Sequence, residues 1–366
     1  MERKYTLEDL KSLSPDRLEE LYGIIMTMRY TVPDNQSQQI AIWTNKDECC
    51  PYCGAKDYKR NGHQKNGAQK FMCKHCGHSF SMVTDTTALY SHFDIKKWNK
   101  FIECELNGLS SRKTADTVGI NRNTALLWRH KLYDALGYLQ ETKLNNQIQI
   151  DAKNISINFK GNKKSKPRTS KKRKSSHNPS KNRHTSCIIS AIDDEDHLIL
   201  KIAGFGKERI DMYRSVLKNN VKEGSLIISD GIQGIEGMAK ELGCTSEIVK
   251  SDTHLSLHGH NINTINQIHA ELEVTLTKYR GISTRHLQGY LNMFVLRKHL
   301  NYAYPNQFQV REAWLAAMPK KTGITRRNES SYPYPFDIHE AYRDYTDPGF
   351  IPGTSSNVTK QLNGVA

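Results

Sequence analysis

Polar and apolar positions alternate most clearly between Gln147 and Asn158, where Ile148, Ile150, Ile155 and Ile157 form two runs of strict alternation broken once in the middle. The pattern predicts a half-buried β-strand or a bulged one, with Asp151 standing where the rhythm breaks. A second apolar run, Leu226-Ile227-Ile228 between Ser225 and Ser229, predicts a strand that stops at Asp230-Gly231. Both aspartates are then expected at strand ends, where α/β folds gather their chemistry. Further strands are expected over 185–193, 197–202 and 247–250, and helices over 208–219, 232–242, 261–279 and 286–300, which makes 145–300 an α/β domain. The acidic run Asp193 to Asp196 between two of these strands predicts a hairpin tip.

Upstream the periodicity is helical. Leu7, Leu10, Leu13, Leu18, Leu21, Ile24 and Ile25, interrupted by Ser14-Pro15, predict a helical lead-in over 1–40. Over 90–140, Trp98, Phe101, Ile102 and Leu106 precede Gly108-Leu109-Ser110-Ser111, and Gly119 precedes Asn121. Serine and asparagine as N-caps with glycine as a helix stop predict helix, turn and helix. The last helix then fits either a DNA-reading module, with Arg122, Asn123 and Thr124 at base edges and Arg129 a further DNA-binding residue, or an ordinary helical link between domains. Residues 301–366 turn Tyr- and Pro-rich and then polar, which predicts an extended appendage and a loose tail.

Between these segments, over 45–82, lie Cys50-Pro51-Tyr52-Cys53-Gly54 and Cys73-Lys74-His75-Cys76-Gly77, with 19 residues between the inner cysteines. Two such turns offer four thiolates, the donor set of a closed tetrahedral Zn²⁺ site, so Cys50, Cys53, Cys73 and Cys76 are expected to hold a structural zinc in a ribbon. The basic residues between the pairs leave open whether the ribbon touches DNA or only packs.

Charge narrows the partner. The net charge is +15 with pI about 9.3, and the excess is concentrated: 11 of the 25 residues from Lys160 to His184 are lysine or arginine and none is acidic. A segment this polar is expected to be disordered alone and to act as an arm on phosphates, with Lys171, Lys172, Arg173 and Lys174 as its densest cluster. No run of 18 apolar residues and no apolar leader occurs, so no membrane role is expected and the protein is placed in the cytoplasm.

Asp151 and Asp230 fit either paired carboxylates sharing divalent metal or a solvated strand residue and a turn former. The Cys-x-x-Cys pairs, the Asp151 strand followed by Phe159-Lys160-Gly161 and a basic run, Ser229-Asp230-Gly231, and the stretch His260 to Asn266 together resemble the bacterial insertion-sequence transposases of the DDE type with an N-terminal zinc ribbon, over roughly residues 45–300. The resemblance implies a ribonuclease-H-like catalytic domain. It also implies Mg²⁺ or Mn²⁺ on Asp151, Asp230 and a third ligand at position 266, strand cleavage and transfer at element ends, and a homodimer or higher oligomer on double-stranded DNA near the nucleoid. Spacing agrees, with 35 residues between Asp230 and Asn266; the 78 between Asp151 and Asp230 include the basic insertion. The family's usual third acid is glutamate, and this chain is similar to a branch with asparagine there. Glu271 and Glu273 are acidic alternatives, although family members tend to carry lysine where Glu273 stands. His269 would hold scissile phosphate or assist proton transfer. The competing readings are an inactive or domesticated DNA-binding regulator, which would not need the two aspartates, and a nuclease, which would not need end-specific binding.

Overall fold

The computed structural model describes residue 14 and residues 49–63, 69–89, 95–161, 184–250, 252–300 and 307–343. The rest of the lead-in over 1–40, the arm cluster Lys171, Lys172, Arg173 and Lys174, and the tail beyond 343 lie outside those residues. In chain order the elements are β1 (Tyr58–His63), β2 (Gln69–Cys73), β3 (Ser79–Ser81), α1 (Ile95–Leu106), α2 (Ser111–Val118), α3 (Arg122–Ala135), β4 (Gln147–Ser156), β5 (Thr185–Asp193) and β6 (Leu198–Phe205). They continue with α4 (Ile210–Leu217), β7 (Leu226–Ser229), α5 (Ile235–Glu241), β8 (Thr245–Ile248), α6 (Asn263–Thr277), α7 (Leu287–His299), α8 (Gln307–Ala317) and α9 (Ile338–Ala341). The chain forms two compact units, Met1–Asn107 with Ala303–Lys320, and Gly108–Tyr302 with Lys321–Ala366.

In the first unit β1, β2 and β3 make an antiparallel sheet around Phe71 and Phe80, against whose rings Tyr58 stands edge-on. The same unit buries Trp98, Phe101, Ile102 and Leu106 of α1 and Val310, Ala313, Trp314 and Ala317 of α8. The expectation of an extended appendage after 301 is therefore corrected: positions 310, 313, 314 and 317 form a helical stripe that the Tyr- and Pro-rich flanks concealed.

The second unit is built on a mixed five-stranded sheet in the order β6-β5-β4-β7-β8. β5 runs antiparallel to both neighbours, whereas β4, β7 and β8 are mutually parallel. One face packs Ile148, Ile150, Ile189 and Ile227 against Met212, Tyr213 and Leu217 of α4 and Ile235 and Met238 of α5. The opposite face packs Ile188, Ile192 and Leu200 against Ile265, Ile268 and Leu272 of α6 and Leu287, Leu291 and Phe294 of α7. Each such side chain contributes about 1.5–3 kcal/mol on burial, so these two layers dominate the stability of the unit.

β4 corrects the expected break at Asp151. Its pairing with β5 runs from Ile148↔Asp193 to Ser156↔Thr185 without a shift. What changes is the layer that the apolar residues enter: Ile148 and Ile150 join the α4/α5 side, whereas Ile155 joins the α6/α7 side. Asp151 is accordingly in mid-strand and not at a strand end; it lies just past Gln149, the last residue of β4 paired with β7. The acidic run Asp193–Asp196 is the tip of the β5–β6 hairpin, where the Asp193 carboxylate accepts from the amides of Asn145, Glu195 and His197.

A buried amide network ties the helices to this sheet. Asn292 Oδ1 accepts from Gln140 Nε2 at 3.1 Å and from Gln288 Nε2 at 3.0 Å, and Asn292 Nδ2 donates to the Tyr133 carbonyl. Gln140 Oε1 in turn accepts from the Leu200 amide at 2.8 Å. Gly289 lets α7 come close to α3 at this point, since a Cβ there would stand 3.1 Å from the Tyr133 Cβ. Asn292→Leu keeps the volume but removes the acceptor of the Gln140 amide, one of the two acceptors of the Gln288 amide and the donor to the Tyr133 carbonyl in a dry site, which should cost about 2–4 kcal/mol. Urea unfolding would show a lower midpoint at unchanged slope; a midpoint equal to wild type would contradict the role given to the network.

Candidate active site

One face of β4 meets α6 turn by turn. Gln149 Oε1 accepts from the Ile265 amide at 3.1 Å, and its Nε2 donates to Thr264 Oγ1 at 3.3 Å. Two residues on, Asp151 Oδ2 lies 3.3 Å from His269 Nδ1, and two further, Lys153 Nζ lies 2.9 Å from Glu273. A strand repeats every two residues on one face and a helix every three to four, so positions 149, 151 and 153 align with successive turns at 265, 269 and 273. Asn266 is exposed in the first of these turns, one turn before His269.

His269 itself is only 6% exposed. Its Nε2 lies 2.8 Å from Ser190 Oγ, and Ser190 is the register partner of Asp151 on β5. Both ring nitrogens are thus engaged, and the imidazole bridges a strand pair and orients the Asp151 carboxylate. Neither acidic alternative for the third ligand is unpartnered: Glu273 pairs with Lys153, and Glu271 turns to Lys298 and Gln267.

Asp230 follows β7 directly. Gly231 makes the turn possible: its φ is +97°, and a Cβ would stand 2.9 Å from Ile248 Cγ2. Partial burial pushes the Asp230 carboxyl up, and the negative charges of Asp151 and then Glu208 raise it further. The same three carboxylates, after burial itself, push up the phenol of Tyr213 on α4. Gln149, Ser190, Glu208 and Tyr213 were not singled out in the sequence. Only Gln149 left a trace there, as a polar residue two positions from Asp151 in an alternating run.

Of the candidate DNA contacts, Arg122 and Asn123 are exposed at the start of α3, and Thr124 is half-buried. Asn121 caps α3 by accepting from the Asn123 amide, Ser110 caps α2, and Gly119 ends α2 at φ 71°. Arg129 is corrected: it is 3% exposed, its guanidinium donates to the Leu109 carbonyl at 2.7 Å, and it faces the Tyr279 ring. It braces the turn before α2 and cannot reach a phosphate. Lys160, at the base of the basic insertion, also turns inward, donating to the carbonyls of Tyr279, Arg280 and Gly281. Phe159, before the insertion, packs on Ile338, Ala341 and Tyr342, and His184, after it, stacks on Tyr342.

In the first unit Cys50, Cys53, Cys73 and Cys76 bring four sulfurs together, with Cys50 to Cys76 and Cys53 to Cys73 both at 3.6 Å. That separation fits a tetrahedral shell with metal–sulfur bonds of about 2.3 Å, which places sulfurs about 3.8 Å apart. Gly54 and Gly77 take φ of 74° and 73° and close each knuckle. Backbone amides, that of Cys76 foremost, draw the Cys73 thiol down to about 7, whereas burial and the neighbouring sulfurs push Cys53 up to about 12 and Cys76 up as well, so without a cation the four sulfurs do not share negative charge.

The raised Asp230 carboxyl has a signed consequence. Below the unfolded value near 3.8 the group is protonated in both states and adds nothing; above its folded value the native state carries an unfavourable charge. Asp230→Asn should therefore raise the melting temperature of chelator-treated protein at pH 7, and the gain should vanish at pH 3. An equal gain at both pH values would show that charge is not the cause.

Among the described residues no helix is long and apolar enough to cross a membrane. Residues 143–299, which contain the β4 face, Asp230 and α6, match the ISXO2-like transposase domain family. This segment of the chain is thus an insertion-sequence transposase domain of the DDE type.

Proposed function

We propose that this DNA transposase acts at element ends through an Asp-Asp-Asn site made of Asp151, Asp230 and Asn266, on a ribonuclease-H-like domain. The observation that carries the reading is the docking of β4 on α6, which holds Asp151 and the helix bearing Asn266 in one fixed relation. The fold assignment is supported by the strand order 3-2-1-4-5, counted from β4, with its second strand reversed.

The donor set fits Mg²⁺ or Mn²⁺: hard carboxylate and amide oxygens, with the Asp151 charge close enough to raise the Asp230 carboxyl. When bound, such ions offset the charge that builds on phosphate oxygens during phosphoryl transfer. The chain's own part is positional. Asp151 is steered by His269 and by its own backbone, since Oδ1 accepts from the Ala152 amide at 2.7 Å. Asp230 is presented by the Gly231 turn, and Asn266 contributes a neutral oxygen. Lys153 neutralises Glu273, so that this glutamate does not add a further negative charge beside the DNA path.

Binding of element ends is assigned to the α2–α3 pair, with Arg122, Asn123 and Thr124 towards the bases, and to the basic insertion with its arm cluster on phosphates. The four-cysteine cluster is assigned Zn²⁺ on donor softness. The working form on DNA is assigned as a dimer or higher oligomer, because two ends must be handled together.

On a duplex carrying the inverted repeats that flank the coding region, Asp151→Asn and Asp230→Asn should bind as wild type and cleave at background in Mg²⁺. Cleavage at the wild-type rate by either variant would remove the assignment. Replacing Cys53 and Cys73 together by serine should lower the zinc content from about one equivalent per chain to none. A wild-type protein without zinc, or a variant that retains it, would refute the metal assigned to the cluster.

A further inference from the structure

The third metal position lies on a helix whose start must be placed to within a fraction of an ångström, because outer contacts orient ligands as decisively as the ligands themselves do. One fastening is Gln149. A second lies two strands away in the same row of the sheet. Ile192, Gln149, Ile228 and Glu247 are successive register partners across β5, β4, β7 and β8. Partners in register share a face, so Glu247 points to the side that α6 covers.

The Glu247 carboxylate is mostly buried, with its side chain 15% exposed, and three donors converge on it. Ser256 Oγ donates at 2.5 Å, His258 Nδ1 at 2.5 Å and His260 Nδ1 at 2.9 Å. The donors sit in a tight turn, in which the Gly259 amide donates to the Ser256 carbonyl at 3.2 Å and Gly259 takes φ of 84°, and all three reach the one carboxylate. The run is closed on itself, with the Ser256 amide on the His260 carbonyl at 2.8 Å and the His260 amide on Ser256 Oγ at 3.0 Å. A carboxylate accepts on both oxygens and loses little by burial when it is so fully bonded. Ser256 first, and then His260, hold its carboxyl down at about 2. Three residues after His260 the chain enters α6, whose Ile265 amide is held by Gln149.

We propose that Glu247 is a positioning residue of the transposition site: by clasping Ser256, His258 and His260 it sets where α6 begins, and so where Asn266 stands relative to Asp151 and Asp230. Gln149 and Glu247 then grip the two ends of the stretch 256–265 from one row of the sheet. This inference rests on the Asp-Asp-Asn reading above and adds a residue that touches neither metal nor DNA.

The test uses the full chain. Mn²⁺ binding is followed by the electron paramagnetic resonance signal of the free ion, and amide hydrogen exchange is followed over Asn263 to Asn266 in metal-free protein. Glu247→Gln should weaken Mn²⁺ binding about 10-fold, the usual cost of losing an outer-sphere partner. It should also speed exchange at the start of α6 while leaving duplex affinity unchanged. His260→Gln, a milder change at the same clasp, should move both readouts in the same direction. The inference is overturned if Mn²⁺ binding and exchange stay at wild-type values in both variants. It is equally overturned if exchange rises uniformly along the chain, as a general loss of stability would produce. Asp151→Asn in the same titration separates the two layers of argument: intact Mn²⁺ binding there defeats the site itself, whereas intact binding in the Glu247 and His260 variants alone defeats only the clasp.

Discussion

The lateral fit of α6 on β4 is the constraint on which the rest of this molecule depends. Its energy comes from apolar burial: Ile265, Ile268 and Leu272 enter the layer formed with Ile188, Ile192 and Leu200. Its register comes from polar contacts that are weak singly. The exposed Lys153–Glu273 pair is worth at most about 1 kcal/mol, and the Gln149 bonds a similar amount. Three such contacts at one strand spacing nevertheless decide which turn of the helix faces which residue of the strand, and a slip of either element would break all three. Burial supplies the attraction, and the polar row supplies the address.

This division explains the character of the site. Asp151 lies on a strand covered on both faces, where an isolated carboxylate would be costly, and it is retained because His269 and the Ala152 amide satisfy it. Asp230 lies at a turn that only glycine can follow, and it stays poorly compensated, its carboxyl raised by burial and by Asp151. Under the proposed function, a divalent cation would relieve this anionic pair at the junction of β4 and β7. Residues 143–299, which match the ISXO2-like transposase domain family, contain both carboxylates.

The segments around the catalytic domain follow the same economy. Lys160 and Arg129, both basic and both suited on paper to phosphates, are consumed by carbonyls of the fold. Arg122 and Asn123 remain exposed at the start of α3. Whether a cation in such a chain stays available to phosphates depends on the backbone acceptors within its reach, and composition cannot distinguish the two cases.

What the amino-acid sequence determined by itself is what depends on neighbours along the chain. The two Cys-x-x-Cys knuckles with their glycines, the caps Ser110 and Asn121, the hairpin of β5 and β6, and the helices bearing Asn266 and Phe294 are set by spacing, turn chemistry and period, and these are local. Tertiary structure alone decided three things. It showed that the apparent break at Asp151 is an unbroken strand whose apolar residues change layers, because a sheet buried on both faces rewards either side. It turned Arg129 and His269 inward, because their partners Leu109, Ser190 and Asp151 are distant in sequence or on other elements. And it joined Gln149, Ser190 and Glu247 to the site, because a row across a sheet is a relation between strands that no window along one strand contains.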